Sequence, residues 1–306
     1  MHKSLRGTIY ALIAGICWGF SGTVGQFLFS HTAIDSGWLT TVRLLVSGLI
    51  LLVMAAIQRP QSVTGVWKNR RDALQLVFFG IAGLMTVQYC YMEAIFYSDS
   101  GTATAVQYTG EAMLLVYTCI AARRLPRRSE FFGLVLALFG IFLLATHGSF
   151  SGLVLSPAGL FWGLTAAVAL MIYTASPCRL IEKYGSISIT AQGMLIGGLA
   201  LGLLLRVWNI PGAYTPEALA GIAAITLIGM VLGFTIYLQA TVLIGPLKAG
   251  LIAAVETVSA PFFSRVWLKT PFQPVDYLGF LCILSMVFLI SLPELRKERA
   301  QAPQNS

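Results

Sequence analysis

Residues Ala105 to Leu115 read AVQYTGEAMLL, placing a glutamine, a tyrosine and a glutamate inside an otherwise apolar run. In a soluble domain this would be an ordinary amphipathic helix, but the rest of the chain excludes that reading. Of its 306 residues, 57% are hydrophobic and only 10% are charged, with a mean hydropathy of +0.80. Soluble domains carry about 25% charged residues. These charges are too few to cover the surface of a 33.0 kDa globule, so lipid must be the solvent for much of it.

A helix of about 20 apolar residues crosses the ~30 Å hydrocarbon core. Ten such runs are expected, at about 7–28, 36–57, 74–96, 102–121, 131–147, 157–177, 187–207, 217–239, 247–267 and 274–292. The longest connection, QRPQSVTGVWKNRRD, is too short for a soluble domain. A transmembrane barrel would show alternating segments of about ten residues instead. The expected fold is therefore all-α and membrane-embedded. The first run outlasts a signal-peptide core and has no small-residue cleavage site after it, so it reads as a retained helix. Cys17, Cys90, Cys119, Cys178 and Cys282 lie in or at the ends of apolar runs without metal-ligand spacing. They read as buried thiols, and neither a metal site nor a cofactor is expected.

The net charge of +8 is a matter of topology rather than of nucleic acid. With a cytoplasmic N-terminus, sixteen Lys and Arg residues fall inside, among them Arg70, Arg71, Arg123, Arg124, Arg127 and Arg128. Three fall outside: Arg206, Arg265 and Lys269. This positive-inside bias places both termini in the cytoplasm and requires an even number of spans.

Displacing the chain by 146 residues brings the third to fifth runs onto the eighth to tenth. Gly83 meets Gly229, Tyr91 meets Tyr237, Ala103 meets Ala249 and Gly133 meets Gly279. Glu93 falls on Gln239, Arg123 on Lys269 and Glu130 on Asp276. Each half, 1–148 and 149–306, then holds five spans. Five is odd, so the halves are expected to sit in the membrane with opposite orientation, a hallmark of secondary transporters. The echo of AGICWG in AGLFWG breaks this register and reads as composition. Glycine pairs four apart, such as Gly15 and Gly19, imply close helix packing in lipid.

The segments YMEAIFYSDSGTATAVQYTGEA and YLQATVLIGPLKAGLIAAVETV resemble the paired EamA segments of the drug/metabolite transporter superfamily. TVRLLVSGLILL and THGSFSGLVLSPAGLFWG are similar to its carboxylate, amino acid and amine branch. The resemblance covers essentially all ten runs and implies ten helices arranged as two inverted five-helix repeats. Two departures stand out. Glu111 replaces a family proline, and Thr257 replaces the proline that follows the second-half glutamate. Pro261 can restore a kink, because it lacks the N–H that would bond the carbonyl of Thr257.

Arg43, Glu93, Glu111 and Glu256 lie well within apolar runs, where a charge costs on the order of 2.5–3.5 kcal/mol on insertion scales. At helical spacing Gln107 and Glu111 share a face of the fourth run, and Tyr89, Glu93 and Tyr97 share one of the third. Thr104, Tyr108 and Glu111 are expected on the accessible face, opposite Ala105, Ala112 and Val116. The resemblance implies that these helices, with the first and sixth, surround a central cavity. Gln239, Trp18, Tyr108, Tyr173 and Tyr237 would line it further. Arg43 has two readings at this stage, snorkelling outward or pairing with Asp35 on one hand, lining the cavity on the other. The glutamates are either structural hydrogen-bond partners or functional groups, and the tyrosines either packing or ligands. His2, His31 and His147 read as loop residues.

The sequence contains no nucleophile with a base, no phosphate loop and no ATP-binding element, so an enzyme is not expected. The resemblance implies a secondary transporter in a plasma membrane of the bacterial inner-membrane kind. Its expected partners are the bilayer, protons and a small-molecule substrate: an amino acid, an amine or a carboxylate. Export by alternating access is the leading reading, with Glu111, Glu93 or Glu256 as proton carrier, since a buried carboxyl can hold a proton at physiological pH. An uncoupled facilitator or exchanger, a membrane enzyme and a scaffold subunit remain as alternatives.

Overall fold

The computed structural model describes residues 2–149, 153–207 and 215–301, with the side chains of His2 and residues 294–301 left aside. Every element among the described residues is helical. The first half comprises α1 (His2–His31), α2 (Ser36–Gln58), α3 (Pro60–Gly65), α4 (Arg70–Phe78), α5 (Thr86–Tyr97), α6 (Ser100–Tyr108), α7 (Gly110–Ala121) and α8 (Arg128–Thr146). The second half comprises α9 (Pro157–Ala175), α10 (Cys178–Tyr184), α11 (Ser186–Leu205), α12 (Pro216–Ala224), α13 (Gly233–Ile244), α14 (Pro246–Ala253), α15 (Glu256–Trp267) and α16 (Pro274–Gln301). Local chemistry sets several starts. Asp35, Asn69, Asp99, Ser156 and Thr215 each accept a backbone N–H of the first turn, which satisfies donors a helix start leaves open.

Among the described residues, nine helical segments are long and apolar enough to cross a membrane. The expected fourth run is the exception, because Gln107, Tyr108, Thr109 and Glu111 lower its hydropathy; it also breaks at Thr109 into α6 and α7. The amide of Thr109 bonds back three residues to Val106, and its hydroxyl donates to the same carbonyl at 2.6 Å. The ninth run breaks correspondingly at Ala254 and Val255, between α14 and α15.

Structural irregularities recur at the 146-residue displacement. The break after Thr109 has its counterpart at Val255. A π-helical stretch at Phe79–Met85 joins α4 to α5, and another at Ile225–Leu232 joins α12 to α13. Arg123 and Lys269 both adopt left-handed backbone, with φ of 49° and 58°. Arg127 N–H donates to Glu130 at 2.6 Å, as Gln273 N–H does to Asp276 at 2.8 Å. None of these features follows from apolar composition.

Packing follows small residues. Helix α2 lies along α11 and α8 along α16, with Gly48, Gly198 and Gly202 at the first contact and Gly133, Gly140 and Gly279 at the second. Backbone approach at such positions drives helix association in lipid. Polar links gather helix ends. Trp67 donates to Gln192 at 2.6 Å and Ser188 to the carbonyl of Ser62 at 3.0 Å. Beside them, Asp72 has no exposed surface because Arg179, Lys183 and Tyr184 cover it, the last two at 2.7 and 2.8 Å. Hydrogen bonding to Asp72, and next to Tyr184, holds Lys183 above the usual lysine range. Its contribution to stability is therefore present at every pH below that range and is lost only as pH rises through its own value.

Three sequence expectations are corrected here. His2 and His31 are helical, and His147 closes α8 in left-handed backbone while pairing with Asp276 at 3.1 Å. Cys178 is exposed, because it opens the connecting helix α10 rather than lying inside a span. Residues 102–121 are not one continuous helix, so no single helical phase runs from Gln107 to Val116.

Candidate functional site

The break at Thr109 explains the polar stretch around it. Glu111 lies in the first turn of α7 and Glu256 in the first turn of α15, each just past a mid-bundle interruption. A helix start carries partial positive charge, so a carboxylate is favoured there, although the amides of Thr257 and Val258 already bond back across the break. Discontinuous helices of this kind form ion and substrate sites in transporters.

Around Glu256 the side chains interlock. Tyr108 donates its hydroxyl to Glu256 Oε2 at 3.0 Å, tying α6 to α15 across 148 residues. Glu111 and Tyr237 lie within electrostatic range of Tyr108, and Tyr237 within that of Tyr173. Trp18 of α1 packs its ring on Phe234 at 5.3 Å and on Tyr237 at 5.1 Å, while its indole N–H, though buried, has no partner. The π-helical stretches help to bring these rings together. A Cβ on Gly233, directly after the second one, would lie 2.8 Å from Trp18 Nε1, and Phe79 in the first stacks on Tyr173 at 5.7 Å.

Glu111, Tyr108, Tyr173 and Tyr237 have protein on all sides yet are only half-buried. These four side chains thus lie deep in the bundle without being fully packed. Gln107 is half-buried beside them.

A second group adjoins the first. Arg43 is 2% exposed and donates to the side-chain carbonyl of Gln88, while its Nε has no partner. The snorkelling alternative is thereby removed, and so is pairing with Asp35, which instead caps α2 through the N–H of Trp38 at 2.9 Å. Tyr91 stands between the groups. It bonds Thr104 at 2.8 Å and lies within electrostatic reach of both Glu256 and Arg43. Thr104, expected on the accessible face, is fully buried by that bond.

Glu93 belongs to a third group. It is 8% exposed and accepts a hydrogen bond from Ser36 at the start of α2. Tyr89 lies within electrostatic reach of it and packs edge-on against Trp162 at 5.6 Å. Tyr97 and Gln239 are exposed, with no hydrogen bond to any of these groups among the described residues. The structure thus gathers Trp18, Tyr108, Glu111, Tyr173, Tyr237 and Glu256, sets Arg43 beside them, and leaves Glu93 with Tyr89 apart. Gln88, Tyr91 and Ser36 are partners that sequence reasoning did not single out. Tyr91 alone had a signal, its match with Tyr237 at the repeat displacement.

Two stretches of the chain, residues 5–146 and 157–292, match the EamA-like transporter family. The chain belongs to that family. It is 34% identical over 300 residues, 98% of this chain and all of the relative, to YicL of Salmonella typhimurium, which is named an uncharacterized inner membrane transporter. An uncharacterized transporter of Methanothermobacter thermautotrophicus is 21% identical over 94% of this chain and 87% of that one. A crystal structure at 16% identity superposes over 95% of this chain and 98% of its own with a TM-score of 0.64, a likeness of fold alone. The chain is a multi-pass membrane transporter.

Proposed function

We propose that the protein is a secondary transporter of ten spans, built as two inverted halves, 1–148 and 149–306. It exports amino acids or related small metabolites by alternating access and couples export to protons. The observation that carries this reading is the interrupted pair of helices. Each break is followed by a first-turn glutamate, the two breaks recur at one displacement, and Tyr108 joins one broken helix to the other. Broken helices, carboxylates and a buried guanidinium gathered at mid-bundle suit a binding site for a small polar molecule. Trp18, Tyr108, Tyr173 and Tyr237 supply apolar walls with polar tips. Arg43, with a neutral partner and an open Nε, suits an anionic substrate group. Glu256 and Glu111 suit a cationic group or a proton. Glu93 is bound to Ser36 and reads as a structural partner within this scheme.

Proteoliposomes with labelled amino acids, amines and carboxylates, with and without a pH gradient, test the reading. Accumulation driven by the gradient is expected for at least one zwitterionic or carboxylate substrate. Flux that ignores the gradient would indicate an uncoupled exchanger, and no flux for any class would sink the proposal.

The charge bias supports a cytoplasmic side for the Arg123–Arg128 loop and both termini. In a background without native cysteines, an impermeant thiol reagent added to intact cells should miss Ser129→Cys. It should reach Ser151→Cys, a position outside the described residues. The reverse labelling pattern would invert the orientation.

A further inference from the structure

The two ends of the bundle are packed differently. At the end away from the basic loops, α6 packs on both α1 and α15. Ser100 Oγ lies 3.1 Å from Thr23 Oγ1, and its N–H donates to Gln26 Oε1 at 3.0 Å. Ser264 donates to the same oxygen at 2.8 Å, and Gln26 donates to Thr270 at 3.0 Å. Phe27 stacks on Trp267 at 5.3 Å. A Cβ on Gly101 would lie 2.8 Å from Pro261 Cβ, so the two backbones already touch.

At the 146-residue displacement, α14 is the counterpart of α6, α7 of α15, and α13 of α5. As the first helix of the second half, α9 stands for α1. Several contacts are shared: α6 packs on α9 as α14 does on α1, and α5 packs on α9 as α13 does on α1. The closing contacts are not. Among the described residues α14 has no comparable packing on α7 or α9. The end of α7 and the turn after it, Val116 to Pro126, instead form a shallow surface depression of about 330 Å³ to which α14 contributes no residue. The equivalent stretch of α15 and its following turn carries the stacked Trp267 and the bonded Thr270. The opposite end is therefore sealed by α6, while the corresponding closing contact of α14 is missing at the basic end.

Glu111 belongs to the basic end. Its counterpart, Thr257, is fully buried in the sealed one. The titratable groups that face Glu111 are Tyr108 of α6 and Tyr237 of α13, with Tyr173 of α9 and Glu256 of α15 beyond them. Arg128, Glu130 and Asp276 stand in the first turns of α8 and α16, at the bundle ends, whereas Glu111 starts α7 at the mid-bundle break. Lys248 is the charge of α14. Its counterpart Thr102 turns to Asp99, at 2.7 Å, rather than to α15. Closure of the same form leaves Lys248 off α7.

We infer that this is the state open at the basic end, and that closing it seats Leu247 of α14 on Leu115 of α7 and buries Glu111 as Thr257 is buried now. Leu247 and Leu115 are the counterparts of Gly101 and Pro261. An unpaired carboxylate resists such burial. The end therefore closes only when Glu111 carries a proton or meets a cationic group of the substrate, which makes this residue the load sensor of the cycle. The inference rests on the two-half transporter reading above.

Paired cysteines in the full chain, in membrane vesicles and without native cysteines, test it. Leu115→Cys with Leu247→Cys reports closure of the basic end, and Thr23→Cys with Ser100→Cys reports the sealed end and normalises for thiol chemistry. Adding Glu111→Gln at pH 8 should speed cross-linking of the first pair at least about fivefold, by removing the charge that opposes closure. With Glu111 in place, lowering the pH should raise the first pair relative to the second, which decides the matter if Glu111→Gln fails to accumulate. If the first pair cross-links and excludes the second, but ignores both Glu111→Gln and pH, Glu111 is not the sensor and the transporter reading stands. If the first pair never cross-links under any condition, the alternation of the two halves falls as well.

Discussion

Arg43→Met should leave the protein as stable as the parent, or more so, and reduce substrate flux by about 10- to 100-fold. The guanidinium is 2% exposed, and its assigned partner is the neutral side chain of Gln88. A cation held inside a span without a carboxylate costs on the order of 2.5–3.5 kcal/mol on insertion scales. An apolar side chain of similar length removes that cost, and such replacements of buried charges are often neutral or stabilising. Retaining a costly group without structural return points to work done during transport. Charge-assisted hydrogen bonds contribute about 1.5–3 kcal/mol, and each ~1.4 kcal/mol is tenfold, which sets the expected loss of flux. Arg43→Lys keeps the charge but loses the planar fork and should fall between. Thermal unfolding in detergent and uptake into proteoliposomes together decide. If Arg43→Met unfolds at markedly lower temperature, the arginine is a structural strut and its place in the binding site is wrong.

Much of the bundle was legible because lipid imposes simple rules. Apolar runs long enough to span are hard to misread, and the runs around α1, α2, α8, α9, α11 and α16 became helices close to their expected positions. What the sequence concealed is where those runs are not α-helical. Thr109 interrupts its run without a proline, through local bonds to Val106 that no composition announces. The glycine after it was a usable signal, since Gly110 sits at an interruption in the middle of a span. The break at Val255 carries no glycine or proline and is visible only through the repeat displacement. The π-helical stretches at Phe79–Met85 and Ile225–Leu232 were equally silent.

Site residues were legible as a set and illegible as an arrangement. Intramembrane cost alone selects Arg43, Glu93, Glu111 and Glu256, since each must find a partner or a wet space. Which of them meet depends on helix packing. Glu93 satisfies itself on Ser36, a serine at a helix start with no periodic signal. Gln239, equivalent to Glu93 in the repeat, points away from its counterpart's role because the two halves surround different neighbours. Equivalence in sequence places a residue on the same face of its own half. It does not place it on the same site.

Glu256→Gln should abolish flux driven by a pH gradient, a loss of roughly a hundredfold, while substrate exchange without a gradient stays within about tenfold of the parent. The amide has the volume of the carboxyl and still accepts the hydroxyl of Tyr108, which reaches Oε2 at 3.0 Å. The α6–α15 contact therefore survives, and so does the shape of the binding space. What disappears is the one property the amide cannot copy, the ability to take up and release a proton. With a side chain whose charge no longer changes, the pH profile of flux should flatten across the range in which the parent responds. Tyr108→Phe is the companion measurement. It removes the donor and leaves Glu256 titratable, so gradient-driven flux should persist with an altered pH profile. Equal loss of gradient-driven flux and exchange in Glu256→Gln, with unchanged thermal stability, would make Glu256 a substrate ligand instead of a proton carrier. Normal behaviour in both assays would remove it from the mechanism and leave Glu111 as the carboxyl to test. A proton carrier must lie where both ends of the bundle can reach it in turn. In the proposed scheme Glu256 is placed for that, because it starts α15 at the mid-bundle break and is bonded to the other broken helix.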